Sequence, residues 1–194
     1  MAEDIDFMMD LETLGRRAGC VVLSIGCVVM SARHGVHDGL EGRPDNKFYC
    51  ALPIQPQVDV GLHIDPDTEA WWRKQSSAAR DVFKECEAAG SLVYELSRFE
   101  AWVKSLGGKN SVHAWGNGSD FDNAIMIALY AALGDRTMPW QYWNDSCYRT
   151  LKNRQSIKQR WPAPERCGTF HNALDDAVTQ AHHAVAIMNG LKMW

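Results

Sequence analysis

Near the N-terminus, Ile5 to Asp10, Cys20 to Met30 and Lys47 to Leu52 are rich in β-branched, aromatic or small apolar side chains. The connections between them are short and carry no helical period. Parallel strands would need a long, usually helical crossover, so an antiparallel meander is expected, with Gly15 and the Gly35–Asn46 stretch supplying turns. The period then becomes helical from Pro66 to about Leu106. Asp65-Pro66 starts that stretch, Gly90-Ser91 divides it and Gly107-Gly108 stops it. Ser111 to Trp115 reads as a short buried strand, followed by a turn at Gly116-Asn117-Gly118 and a helix from about Phe121 to Leu133. A further short strand or turn is expected near Trp140–Asn144, then a helix at about Cys147–Arg154. Lys152–Arg166 carries Lys152, Arg154, Lys158, Arg160 and Arg166 together with Pro162 and Pro164, which predicts a loop or partly irregular segment. The last helix should run from about Ala173 to Gly190. This order fits an α/β domain with one mixed central sheet.

With 194 residues, 46% of them hydrophobic, the chain can bury a substantial core, and residues 1–194 are expected to form a single domain. No apolar run approaches the roughly 20 residues that cross a bilayer. The N-terminus opens on Ala2-Glu3-Asp4-Ile5-Asp6 instead of a basic stretch and an apolar core. The six cysteines show no C-x-x-C spacing, which suits reduced core thiols. No membrane contact and a cytoplasmic location, in a host cytoplasm if the chain is viral, are therefore expected. A net charge of −4 provides no global field for a polyanion. A protein gripping only a strand end needs few contacts, however, and bound divalent cations invert the sign of an acidic pocket.

Three acidic segments carry the candidate chemistry. In Met9-Asp10-Leu11-Glu12-Thr13 an apolar strand ends in carboxylates at i and i+2, which share one face of the sheet. Such neighbours raise each other's pKa unless a cation or donor compensates. A solvated strand end is the alternative. Oxygen ligands without nearby Cys or His favour a hard cation, Mg²⁺ or Mn²⁺. The second segment, Trp115 to Asn123, delivers Asp120 and Asp122, either as ligands or as acids favouring a helix N-terminus. The third is Thr169 to Ala177. Asn172 and Asp175 form a capping-box-like pair there, leaving His171 just before the helix and Asp176 about 100° further round its first turn. From the loop, the His171 ring can reach the site that Asp176 faces.

Together these segments resemble the DnaQ-like, or DEDDh, 3′-5′ exonuclease family. Asp10-Leu11-Glu12-Thr13-Leu14-Gly15 matches its first motif, Phe121-Asp122 after Asn117 its second, and His171 with Asp176 after four intervening residues its third. Asp67 to Ser76, Trp115-Gly116-Asn117-Gly118 and Tyr148-Arg149-Thr150-Leu151 are similar to phage-type and mycobacterial members. The resemblance implies a ribonuclease H-like fold, a five-stranded mixed sheet flanked by helices. It also implies hydrolysis of nucleic acid from the 3′ end to nucleoside 5′-monophosphates. Asp10, Glu12, Asp122 and Asp176 would hold two Mg²⁺ or Mn²⁺ ions, with His171 as general base. Asp120 replaces Asp122 if the register shifts.

Substrate contacts are expected from Thr13 and Leu14, from Trp71, Trp72 and His63, and from Gln75. The implied partner is single-stranded nucleic acid or a 3′ end, DNA or RNA; a homodimer is left open. Two other readings compete: a zinc site from His171, His182, His183 and Cys167, and a non-catalytic nucleic-acid- or protein-binding module on the same fold.

Overall fold

The structure, a computed structural model, describes residues 5–36, 46–134 and 136–193. Ala2 to Asp4 and most of the Gly35–Asn46 turn stretch lie outside these residues. Strands β1 (Ile5–Thr13) and β2 (Val22–Ser31) pair antiparallel, and β2 also pairs antiparallel with β3 (Gly35–Val36) and β4 (Lys47–Ala51). These are the strands of the expected meander, extended by β3. On its other edge β1 pairs in parallel with β5 (Val112–Gly116), which pairs in parallel with β6 (Asp145–Cys147).

The sheet has six strands, where five were expected. The additional one, β3, is two residues long and falls in a stretch read as turn; so short a strand leaves no apolar alternation to detect. Where a short strand or turn was expected there is a 3₁₀ turn, Tyr142–Asn144, and the strand β6 follows it at Asp145–Cys147. Trp140, apolar enough to suggest a strand there, is buried as a core plug instead.

The helices cover both faces. After β4 come α1 (Ile54–Asp59), α2 (Pro66–Trp72), α3 (Ser77–Ala88) and α4 (Leu92–Leu106). α5 (Asp122–Ala132) follows β5, and α6 (Tyr148–Lys152), α7 (Gln155–Arg160) and α8 (Ala173–Leu191) follow β6. The predicted 66–106 helical stretch breaks at Gly90-Ser91, as expected, and again before Ser76. Each break is a serine N-cap: Ser76 accepts from Ala79 N–H and Ser91 from Tyr94 N–H. α1 escaped the sequence reading because Pro53 and Pro56 suggest a breaker. Pro53 is in fact the cap position, and buried Gln57 exchanges hydrogen bonds with the backbone N–H and C=O of Val22. α7 likewise occupies part of the predicted 152–166 loop, burying only Ile157.

Alternation along β1 divides the core. Phe7, Met9 and Leu11 face a cluster built with α2 to α5, including Trp72, Leu96, Phe99, Trp102 and Ile125. Met8 faces a second cluster with α8 and Tyr148 of α6. Covered on both sides, β2 is buried along nearly its whole length and shows no polar alternation. Truncating fully buried Phe99 to alanine would cost about 3–5 kcal/mol.

Gly26 sets how closely α8 approaches. It stands opposite Asp10 in the β1–β2 ladder. A Cβ there would lie 2.2 Å from the backbone carbon of Ala173 and from Leu174 N. The absent side chain lets the first turn of α8 rest on the strand beside Asp10.

Candidate active site

Asp10 and Glu12 lie on the face of β1 that packs against α8, the same side as Met8. The β1–β5 pairing ends at Met8 and Trp115, so a crevice opens beyond it and the backbone N–H groups at the end of β1 lose their strand partner. Asp122, the first residue of α5, fills that role: its Oδ1 accepts from Leu11 N–H at 3.2 Å and its Oδ2 from Asn117 N–H at 2.6 Å. It is wholly buried, whereas Asp120 is exposed on the preceding turn. Gly116 makes room, since a Cβ there would come within 3.1 Å of Asp122 Cβ.

The third segment closes the group. Asn172 caps α8 as expected, its Oδ1 accepting from Leu174 and Asp175 N–H. The reciprocal half of the box differs: Asp175 reaches past Asn172 and accepts from Thr169 N–H at 2.6 Å, holding the loop that precedes the helix. His171 sits in the left-handed region, φ 61, which histidine tolerates better than most side chains. Its ring packs edge-to-face on Trp71, centroids 4.8 Å apart, and faces Trp72 at 6.1 Å. Among the described residues, Glu12, His171 and Asp176 present ligand-capable atoms that all lie within 4.8 Å of one another.

Glu12, His171 and Asp176 line a cleft of 590 Å³ together with Asp10, Thr13, Arg16, Asp67, Trp71, Trp72, Asn117, Phe121 and Gln180, whereas Asp122 lies outside its lining. Its electrostatics are those of crowded acids. Burial raises the Asp10 carboxyl well above its usual range, and the charges of Asp122, Glu12 and Asp176 add to the effect. Glu12 is pushed up to about 8, first by burial and then by Asp176, against the pull of Arg166. Asp122 rises only to about 6, because the N–H donors of Asn117 and Leu11 offset its burial. Partial burial lowers the His171 pKa, Asp176 opposing and Arg166 assisting, so the imidazole is disposed to be neutral.

Of the other expected contacts, Trp71 is exposed at the cleft. Trp72 is buried and donates its indole N–H to the Thr13 carbonyl at 2.9 Å. Thr13 is buried with its hydroxyl on the Gly15 carbonyl. Leu14 is packed in the core, and His63 is bridged to Cys20 and exposed near Gly15. Gln75 donates to the Trp71 carbonyl. His183 has both ring nitrogens engaged, with the Tyr148 hydroxyl and the Trp161 carbonyl, and so does not offer itself to a metal. All six cysteines are unpaired, four of them buried.

Two residues that touch the acidic group are not singled out by the sequence pattern. Gln180, one turn beyond Asp176 on α8, donates to Asp10 Oδ1 at 2.6 Å; its i+4 spacing from Asp176 was the available signal. Arg166 pairs with Asp176 Oδ1 at 2.5 Å. Nothing in the sequence distinguishes it from the other basic residues of its segment.

A model of the 3′-5′ exoribonuclease Rv2179c-like domain family matches residues 5–188. No curated protein matches the chain. Among solved structures, the nuclease domain of 3′hExo, a DEDDh family member bound to rAMP, is similar with a TM-score of 0.61 at 12% identity, covering 97% of this chain and 94% of that one. Pop2p of S. pombe, in a Mg²⁺- and Mn²⁺-bound form, gives 0.58 at 14% identity, over 94% and 82%. E. coli exonuclease I with an oligonucleotide gives 0.53 at 15% identity, over 98% of this chain and 41% of that one. The fold is thus ribonuclease H-like, and among the described residues no helix is long and apolar enough to cross a membrane.

Proposed function

The chain belongs to the 3′-5′ exoribonuclease Rv2179c-like domain family and is a 3′-5′ exonuclease, and we propose that it works by a two-metal mechanism with His171 as general base. On this reading residues 1–194 act as one exonuclease domain, and Asp10, Glu12, Asp122 and Asp176 hold two Mg²⁺ or Mn²⁺ ions at the 3′ end of a nucleic-acid strand. The observation that carries it is the convergence of Glu12 from β1, His171 from a loop and Asp176 from α8 within 4.8 Å, beside Asp10.

The residues suit a hard cation. All the acidic donors are carboxylate oxygens, and at Asp10 and Glu12 burial and then the neighbouring carboxylates raise the pKa, a crowding that a bound cation would relieve. Asn117 and Gln180 belong to the cleft wall, and their side-chain oxygens are buried without a donor among the described residues. Bound divalent ions would supply a more acidic attacking water and offset the charge developing on the leaving 3′ oxygen.

The chain supplies the rest. His171, disposed to be neutral, accepts the proton of the attacking water as the water oxygen bonds to phosphorus; the P–O3′ bond breaks to release a nucleoside 5′-monophosphate, and the leaving 3′ oxygen takes a proton from solvent to become the new 3′ hydroxyl. Trp71 holds the imidazole edge-on while offering an exposed face to a terminal base. Gln180 orients the Asp10 carboxylate.

The test is a ladder assay on 5′-labelled single-stranded DNA, double-stranded DNA and RNA with Mg²⁺ or Mn²⁺, wild type beside Asp10→Ala. Metal-dependent ladders absent in the variant are expected. Equal ladders from Asp10→Ala would remove Asp10 from the machinery, and inactivity on all three substrates would favour a binding module.

A further inference from the structure

Arg166, from the loop ahead of α8, pairs with Asp176 of the cleft wall. Its Nη1 lies 2.5 Å from Asp176 Oδ1, its Nη2 donates to the Thr169 carbonyl at 2.9 Å, and its guanidinium stacks 3.9 Å above the Phe170 ring. Both partners of the ion pair are shielded, with side-chain exposures of 21% and 17%. Nε is buried with no acceptor among the described residues.

This is an incomplete way to bury a guanidinium. A structural arginine usually meets a carboxylate with two parallel N–H donors, which offsets its desolvation. Arg166 gives Asp176 one such contact while its neighbours Glu12 and Asp10 remain crowded by like charge. Its charge nevertheless acts on the group, favouring ionised Glu12 and neutral His171. The other oxygen of Asp176 takes the N–H of His171, so both oxygens of the carboxylate are engaged.

We propose that Arg166 is the resident counter-ion of this cleft: it holds Asp176 while divalent ions are absent, and ions bind in competition with it. The inference rests on the cation reading above. A cation that ligates Asp176 opposes the guanidinium twice, by taking an oxygen that Nη1 occupies and by like-charge repulsion. Arg166 then keeps the metal-free loop and the His171 turn in place, and raises the cation concentration needed to load the site.

The experiment is calorimetric titration of Mn²⁺ into the metal-stripped full chain, comparing wild type, Arg166→Gln and Arg166→Lys at low and high salt. Arg166→Gln should bind Mn²⁺ roughly tenfold more tightly at low salt, less so at high salt, while its metal-free form melts at a lower temperature. Arg166→Lys keeps the charge and should stay within about twofold of wild type. A merely structural arginine predicts the opposite sign, because a disordered loop binds metal more weakly. As a readout that does not depend on the glutamine variant folding, the arginine Nε–H resonance absent from Arg166→Lys should shift when Mg²⁺ is added to wild type. A wild type that binds no Mn²⁺ overturns the cation reading and this inference with it. Wild-type binding with Arg166→Gln no tighter, or an unmoved Nε–H resonance at saturating Mg²⁺, overturns the counter-ion alone.

Discussion

The backbone N–H of His171 donates to Asp176 Oδ2 at 3.1 Å. The proposed general base and a proposed metal ligand are therefore placed by one another: the left-handed turn at His171 is held by the carboxylate that also faces Glu12. Because the backbone makes that bond, removing the imidazole leaves it intact.

His171→Ala should accordingly lower turnover by about 10²–10⁴-fold while Mn²⁺ affinity stays within a few-fold of wild type. Single-turnover rates beside a Mn²⁺ titration check it. Loss of Mn²⁺ binding would make His171 a ligand instead of a base.

The two acids of the second segment separate by burial. Asp122 satisfies two backbone donors at the end of β1, whereas Asp120 is exposed. Asp122→Asn should reduce cleavage by two orders of magnitude or more, because an amide cannot provide the charge the cations need. Asp120→Asn should leave activity within about twofold, as an exposed substitution does. Steady-state rates on one labelled oligonucleotide decide between them, and the reverse pattern would shift the register.

Gly26→Ala tests the seating of α8. The new methyl meets the backbone of Ala173 and Leu174, which cannot rotate away, so a loss of about 1–3 kcal/mol or more is expected from denaturant unfolding. The variant that remains folded should turn over about 10²-fold more slowly if the first turn of α8 moves by an ångström. Wild-type stability and rate together would mean that the helix tolerates the lift.

The crowded acids make metal-free stability depend on pH. Unfolded Asp and Glu titrate near 4, but folded Glu12 titrates at about 8, Asp122 at about 6 and Asp10 well above its usual value. Between those limits the native state holds more protons than the unfolded chain, so its stability falls as pH rises. The melting temperature in EDTA should drop by several degrees from pH 6 to pH 8.5. Saturating Mg²⁺ should flatten that slope, and Glu12→Gln should weaken it; an EDTA profile that is already flat would contradict the shifts.

Much of the site is local and was legible in the chain. The i, i+2 spacing of Asp10 and Glu12 places both on one face of any strand, and Asn172 announces the start of α8 just after His171. Period and turn residues located the main strands and long helices for the same reason, since each reflects contacts within a few residues. β3, α1 and α7 were missed because short elements rest on tertiary partners, as Gln57 of α1 rests on Val22.

Local pattern alone thus nominated the candidate acids and the histidine, and the kind of element on which each one sits. Contacts between distant segments bury Asp122 at the end of β1 while Asp120 stays exposed, let α8 lie over Gly26 beside Asp10, and turn Arg166, among five similar cations, inward to Asp176. The physical reason is range: propensity and spacing act over a few residues, whereas burial, ion pairing and a shared pKa arise between segments as far apart as Asp10 and Gln180.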